Sequence, residues 1–191
     1  MKILLINNHT RHLESLNEAL QDHDVVVQMY EPGIKFDYED KDLVVLSGGG
    51  GEGLEIDDEV KPGKLWYQDQ INFVLNCQKP IFGICMGFEV IARAYHSKVE
   101  EMEKLVMGLR KIELTAKGQS ELKNEQLWQY EAHQWRVNDI DTDEFEVLAK
   151  SESGLEIIRH KTRPIMATQF HPEKGGTLSL PAFLATLSPA S

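Results

Sequence analysis

A cysteine between two glycines is the first residue of this chain whose surroundings indicate chemistry. Residues 80–89 form an apolar run that ends in Gly83-Ile-Cys85-Met-Gly87, and a helix-forming stretch follows at 88–95. A sharp turn from strand to helix strains its central residue and needs glycine two positions to either side, so this is the nucleophile-elbow pattern with cysteine as nucleophile. The positive end of a helix dipole stabilises a thiolate, and the pattern therefore predicts a lowered pKa for Cys85.

The segment Ala-Thr-Gln-Phe-His-Pro-Glu at 167–173 supplies the groups that such a thiol needs. His171 can take the thiol proton, and Glu173 can hold the imidazole in the useful tautomer. A tight turn around a buried, inert cysteine is the structural alternative. We favour chemistry because both motifs follow predicted strands, and open α/β sheets place their sites at the C-terminal ends of strands.

Composition indicates one acidic α/β domain spanning residues 1–191. Its formal charge of −11 argues against binding to nucleic acid or acidic membranes, and 41% hydrophobic content is ordinary for a globular protein. Two cysteines do not make a disulfide framework, the opening apolar stretch is too short for a signal peptide, and no stretch has membrane-spanning length. We expect a cytoplasmic protein without membrane or nucleic-acid partners.

Strand-like and helix-like patterns alternate along the chain. This alternation predicts an open, mostly parallel sheet with helices on both faces. The predicted strands are Lys2–Asn7, 25–29, Leu43–Leu46, Ile81–Ile84, 109–114, 145–149, 155–159 and 165–169. The predicted helices are 11–21, 65–77 and 88–95.

Segments across nearly the whole chain resemble the class I (triad) glutamine amidotransferase family. They are Lys2–Asn7, 46–50, 83–89, 131–135 and 160–173. The resemblance implies a flavodoxin-like fold and cysteine-dependent hydrolysis of the γ-amide of glutamine to glutamate and ammonia. It implies no cofactor, and it implies a separate synthase partner that accepts the ammonia. Residues 160–173 look especially like stand-alone glutaminase subunits of GMP synthase.

Site residues carry over from the family onto matching positions. Cys85, His171 and Glu173 would form the catalytic triad. The backbone N–H groups of Gly49 and Met86 would form the oxyanion hole. The segment 131–137 would embrace the amino-acid end of the substrate, and the substrate-binding residues are expected to be Glu89, His133, Gln134 and Trp135. Core packing is the alternative role for the tryptophan.

Three positions depart from the family pattern. Glu89 replaces the usual glutamine, so it keeps acceptor oxygens but loses the amide donor, and its charge should raise the thiol pKa against the dipole. A solvent-facing helix glutamate is the alternative for this position. Gly50 stands where the family usually has proline, and Ala132 stands where it often has serine.

The sequence leaves two other functions open. Short matches at 87–89, 133–135 and 171–174 look more like γ-glutamyl hydrolases, which would act on γ-glutamyl peptides or amines. A non-catalytic regulatory module on the same fold is the more distant alternative. We predict no metal, because the histidines outside these motifs show no paired metal-ligand spacing. They are His9, His12, His23, His96 and His160.

Overall fold

The computed structural model describes residues 1–49, 59–61 and 64–187. The strands, in chain order, are β1 (Lys2–Asn7), β2 (Asp24–Met29), β3 (Leu43–Leu46), β4 (Glu59–Lys61), β5 (Lys64–Leu65), β6 (Ile81–Ile84), β7 (Val99–Leu114), β8 (Gln126–Val137), β9 (Phe145–Ser151), β10 (Gly154–His160) and β11 (Ile165–Thr168). The α-helices are α1 (Leu13–Ala19), α2 (Gln68–Asn76), α3 (Met86–Ala94), α4 (Ala116–Leu122) and α5 (Leu180–Leu187). A short 3₁₀ helix spans Pro172–Lys174.

Nine strands form one sheet in the order β2-β1-β3-β6-β11-β10-β9-β7-β8, and β4 pairs separately with β5. Pairing is parallel from β2 to β11 and antiparallel from β11 to β8. The central strands β3, β6 and β11 are buried at every residue. Burial on both faces explains their continuous apolar sequences and confirms the predicted α/β class.

Helices cover both faces of the parallel strands. Along β1, Leu4 and Ile6 pack in one hydrophobic cluster with α2 and α3, whereas Ile3 and Leu5 pack in a second cluster with α1 and α5. This alternation follows from the two-residue period of a strand. Of the helices in the described part of the chain, none combines the length and hydropathy that crossing a bilayer requires.

In the antiparallel half of the sheet, the edge strand β8 lies close to the end of the central strand β11. β7 has 16 residues, of which the sequence predicted only 109–114. No strand was predicted over its partner β8, whose residues 131–137 were expected to contact the substrate. The sheet curls so that the backbone N–H of His171 donates to the carbonyl of Tyr130 in β8 at 2.8 Å. β8 therefore lies beside the segment that follows β11.

Candidate active site

Cys85 occupies a strained turn between β6 and α3. Its φ of 50° and ψ of −105° lie outside the regions that non-glycine residues usually adopt. Its N–H donates to the carbonyl of Thr168 at the end of β11 at 2.8 Å, and its carbonyl accepts from the N–H of Glu89 at 3.1 Å. The neighbouring strand and the first turn of the helix thus hold the elbow in place.

The two glycines that flank the elbow are required by close packing. A Cβ at Gly83 would lie 2.7 Å from the backbone of Gly87. A Cβ at Gly87 would overlap the carbonyl oxygen of Leu46 in β3. Neither position has room for a side chain, which explains the Gly-x-Cys-x-Gly spacing in the sequence.

His171 and Glu173 form a buried hydrogen-bonded pair. The Nδ1 atom of His171 lies 2.7 Å from Oε1 of Glu173. A carboxylate only accepts, so Nδ1 carries the proton and the lone pair of the imidazole is on Nε2. That Nε2 atom is buried and has no hydrogen-bonding partner within the described residues. The pair therefore presents an oriented and unoccupied base.

The loop after β3 brings the thiol and the imidazole together. A Cβ added to Gly48 would lie 2.9 Å from Cε1 of His171 and 3.5 Å from Cβ of Cys85. The two side chains thus flank the same point of the backbone. A side chain at position 48 would crowd His171 and contact Cys85, and glycine leaves the space between this loop and the two side chains free.

Gly49 lies against Met86, the residue with which it was expected to form an oxyanion hole. A Cβ at Gly49 would lie 2.7 Å from Sδ and 3.3 Å from Cβ of Met86. Gly49 therefore packs against the residue that follows Cys85, and donation of the two backbone amides to an oxyanion stays a prediction. Gly50, where the family usually has proline, lies outside the described residues.

The pKa of Cys85 is raised well above its ordinary value. Burial is the main cause, and the charges of Glu89 and Glu173 add to it, whereas a hydrogen bond to the backbone of Met86 acts in the opposite direction. The expectation of a lowered pKa is wrong for the substrate-free protein. Desolvation and two carboxylates outweigh the helix dipole, so the resting residue is a neutral thiol.

Glu89 is a buried residue of α3, not a solvent-facing one. Its Oε1 accepts a hydrogen bond from Nε2 of Gln169 at 2.8 Å. Burial raises the pKa of this carboxyl, although the hydrogen bond from Gln169 and the nearby histidines partly offset that rise. The residue that departs from the family pattern is thus part of the packed wall around Cys85.

The three expected substrate-binding residues of β8 already have protein partners. His133 is buried, with Nε2 3.0 Å from Oε2 of Glu131 and Nδ1 2.6 Å from the carbonyl of Trp135. Gln134 donates to the carboxylate of Glu101 at 2.9 Å. Trp135 packs, partly buried, against the cluster formed with α2 and α3. Contact of these residues with a substrate stays a prediction.

Two residues near the site, His12 and Gln169, were given no role from the sequence. The ring of His12 lies edge-on to that of His171, with centroids 4.8 Å apart, and burial lowers the pKa of His12. Gln169 holds Glu89, as described above. Gln169 lies within the 167–173 motif but nothing in the sequence indicates its contact with Glu89, and only the fold brings His12, just before α1, to His171.

Glu131, His133 and Glu156 form a second buried cluster, which includes one of the expected substrate-binding residues. One ligand atom from each residue lies within 4.8 Å of the other two, a grouping that can hold a metal ion. Burial and the charge of Glu131 raise the pKa of Glu156 to about 8. Burial lowers the pKa of His133, but the hydrogen bond to Glu131 and the charge of Glu156 outweigh it, and the net shift is upward.

Comparison with known proteins identifies the family of the chain. The family model described as glutamine amidotransferase class-I matches residues 4–187. The chain is 36% identical over 110 residues to a subunit of glutamine-hydrolyzing GMP synthase from Methanocaldococcus jannaschii, covering 56% of this chain and 57% of that protein. It is 27% identical over 178 residues to the subunit of the same name from Methanothermobacter thermautotrophicus, covering 90% of this chain and 88% of that protein.

The fold has a close counterpart among solved structures. A Thermoplasma acidophilum protein described as a GMP synthase subunit superposes with a TM-score of 0.81 at 24% identity, covering 98% of this chain and 92% of that one. The match to the first relative above spans little more than half of that relative's length. Since the family model covers nearly the whole sequence, the chain belongs to the class I glutamine amidotransferase family.

Proposed function

We propose that this protein hydrolyses the γ-amide of glutamine to glutamate and ammonia. Cys85 is the nucleophile, His171 the general base and acid, and Glu173 the group that orients the imidazole. The N–H groups of Gly49 and Met86 stabilise the oxyanion. No cofactor takes part in this reaction.

One observation carries the proposal: the strained, helix-capping Cys85 and the imidazole of His171, whose Nε2 has no hydrogen-bonding partner in the described residues, both lie beside Gly48. A buried structural cysteine does not need a left-handed backbone conformation. Strain of this kind costs about 1–3 kcal/mol and persists where the surrounding structure enforces it, often at reacting residues. The buried hydrogen bond between Nδ1 of His171 and Oε1 of Glu173 gives the imidazole a fixed tautomer.

The reaction proceeds as acyl transfer to water. His171 Nε2 takes the thiol proton as Sγ of Cys85 attacks the γ-carbonyl carbon, and the carbonyl oxygen becomes an oxyanion. The C–N bond then breaks, and His171 returns its proton to the leaving nitrogen, which departs as ammonia. Water loses a proton to the same Nε2 and attacks the thioester. Glutamate leaves, and the thiol is restored.

The raised thiol pKa fits a proton transfer that is coupled to attack. A thiol that is neutral at rest needs a base beside it when the substrate arrives, and the imidazole of His171, which lies with Cys85 beside Gly48, supports that role. The chemistry therefore depends on His171 more strongly than it would for a preformed thiolate.

We further propose that the ammonia passes to a separate synthase partner. The relatives described above are each named as one subunit of GMP synthase, a name that implies a second subunit in those proteins. We also propose that the reaction takes place in the cytoplasm. Both cysteines of this chain are free thiols, which is typical of proteins in that reducing compartment.

Glu89 favours one second candidate, a γ-glutamyl hydrolase. A buried carboxylate where relatives usually have an amide can pair with a cationic group of a γ-glutamyl compound. In that case an amine or a peptide leaves instead of ammonia. A non-catalytic module on the same fold is the third candidate, and it requires no reactivity of Cys85 at all.

A substrate panel separates these candidates. Purified protein is incubated with glutamine and with γ-glutamyl peptides and amines, and glutamate, ammonia and amine are quantified. Our proposal predicts ammonia and glutamate in equal amounts from glutamine. Release of amine from γ-glutamyl compounds without glutamine turnover would support the hydrolase. Absence of every product, with a Cys85 that does not react with iodoacetamide, would support the non-catalytic module.

A further inference from the structure

We propose that Glu131, His133 and Glu156 bind one divalent transition-metal ion, with Zn²⁺ as the preferred ion. This inference is independent of glutamine hydrolysis. It departs from the expectation of no metal, which rested on histidine spacing alone. The fold supplies the two carboxylates that the spacing of histidines could not reveal.

The three residues come from two strands that are not neighbours in the sheet. Glu131 and His133 stand two residues apart in β8 and therefore share one face of that strand. Glu156 comes from β10, which the sheet order separates from β8 by two strands. Only the curl of the sheet brings the ligand atoms to within 4.8 Å of one another.

Hydrogen bonding has prepared His133 for a metal. Its Nδ1 lies 2.6 Å from the carbonyl of Trp135, and a carbonyl only accepts, so Nδ1 carries a proton. The remaining nitrogen, Nε2, points toward Glu131 at 3.0 Å. A histidine that ligates a metal through one nitrogen commonly donates its other N–H to a backbone carbonyl in this way.

A single proton shared by His133 and Glu131 leaves one carboxylate oxygen of the cluster without a hydrogen-bonding partner. One proton between Nε2 of His133 and the carboxylate of Glu131 completes that contact. Glu156 then has Oε1 accepting from the hydroxyl of Ser151 at 2.6 Å, while its Oε2 is buried without a hydrogen-bonding partner in the described chain. Buried carboxylates are normally paired or bound to metals. One cation between the three side chains satisfies both carboxylates and the imidazole together.

The ligand set selects the class of ion. One imidazole nitrogen and two carboxylates suit Zn²⁺ and neighbouring transition metals, whereas Mg²⁺ and Ca²⁺ prefer oxygen ligands throughout. Tetrahedral bonds of about 2.0–2.2 Å place ligand atoms about 3.3–3.6 Å apart. The ligand atoms lie within 4.8 Å of one another, so a separation near that limit must shorten by about 1.2–1.5 Å, a movement shared between two side chains.

A surface cavity gives an ion access to the cluster. This cavity has a volume of about 890 Å³ and lies between β7, β8 and the turn from β9 to β10. Glu131 and Ser151, the hydrogen-bond donor to Glu156, are part of its wall. Bound there, the ion would fasten β8 to β10 and fix the segment 133–135 beside the active site.

The test uses the full chain stripped with EDTA and then titrated with ZnCl₂. Bound zinc is counted by elemental mass spectrometry after desalting, and affinity is measured by competition with a chromophoric chelator. We expect about one equivalent of zinc and a rise in Tm with zinc, since an ion that binds only the folded state stabilises it. Glu156→Gln and His133→Gln should each weaken affinity at least about tenfold. The matched control is Glu152→Gln, an exposed residue of the same cavity, which should bind as wild type does.

Wild-type protein that retains no stoichiometric zinc overturns the proposal, and this readout does not depend on whether a variant folds. Equal zinc affinity in wild type, Glu156→Gln and His133→Gln also overturns it, because the ion then lies elsewhere. Binding of Mg²⁺ with equal affinity contradicts the assigned ion class. Cys85→Ala should bind zinc normally, so loss of glutamine hydrolysis and loss of the metal site are separate results.

Discussion

Oε1 of Glu173 lies 2.7 Å from Nδ1 of His171, and the other ring nitrogen of that histidine has no partner in the described residues. The pair is buried at the end of β11, next to the strained Cys85. This arrangement defines what each substitution at the site should do.

Replacing the nucleophile should abolish turnover. Cys85→Ala removes the sulfur atom that forms the thioester at the site, so hydrolysis of every γ-glutamyl substrate should fall to background while circular dichroism stays unchanged. Cys77→Ala is the matched control, because Cys77 is also buried and unpaired but lies outside the site. Residual turnover near wild type in Cys85→Ala would refute the mechanism.

The two residues behind the thiol should differ in their effects. His171→Ala removes the general base, a contribution of roughly 10²–10⁴-fold in kcat, and should be almost as damaging as loss of the thiol. Glu173→Ala should be milder, on the order of ten- to a hundredfold, since this residue orients and does not react. Steady-state kinetics with glutamine measures both. A neutral Glu173→Ala would mean that another group, such as His12, orients the imidazole.

Thiol reactivity should increase with pH into the alkaline range. The thiolate is the reactive form, and a raised pKa means that its fraction keeps growing above the pH at which an ordinary cysteine, with a pKa of about 8.5, is half ionised. The rate of iodoacetamide alkylation of Cys85, followed by peptide mass spectrometry, checks this profile. A plateau below pH ~7 would contradict the raised pKa.

Glu89→Gln should move that profile to lower pH. The charge of Glu89 raises the thiol pKa, so replacing this residue with a neutral amide favours the thiolate. The amide oxygen of the new residue can still accept from Gln169, and the fold should be kept. An unchanged or raised inflection in this variant would show that Glu89 does not act on the thiol.

The same substitution separates the two enzymatic candidates. If glutamine is the substrate, Glu89→Gln restores the family's usual amide donor, and kcat/KM for glutamine should hold or rise. If Glu89 pairs with a charged group of a γ-glutamyl compound, its loss should cost about 1.5–3 kcal/mol, roughly ten- to a hundredfold in kcat/KM. We expect the first result. A large loss on glutamine with an intact fold would favour the hydrolase.

The parallel half of the sheet was predictable because local sequence determines it. Lys2–Asn7, Leu43–Leu46 and Ile81–Ile84 are observed with the predicted bounds. Each is a short apolar run bounded by turn residues, and burial on both faces leaves no polar alternation to obscure it.

The antiparallel half was harder to predict for a physical reason. β7 has mixed charged and apolar residues on an exposed face, where Leu105, Met107 and Leu109 are about half exposed. Its pairing with β8 is set by tertiary contacts rather than by a local pattern. The buried cluster of Glu131 and Glu156 depends on that pairing, so the sequence could not indicate it.

The direction of the Cys85 pKa shift also depends on tertiary packing that the local sequence does not reveal. The helix dipole at Cys85 follows from the sequence motif, and the sequence also indicated the opposing charge of Glu89. The full burial of the thiol and the position of Glu173 depend on how β11 and α3 pack. Long-range desolvation therefore reversed a prediction made from local structure.

The central claim, that Cys85 attacks a γ-glutamyl carbonyl, is tested most directly by trapping the covalent intermediate. Protein is mixed with glutamine, quenched in acid within one turnover, digested and examined by mass spectrometry. We predict a glutamyl thioester on the peptide that contains Cys85, absent from Cys85→Ala and accompanied by one equivalent of ammonia. Ammonia release without any adduct on Cys85, or an adduct on another residue, would contradict the account.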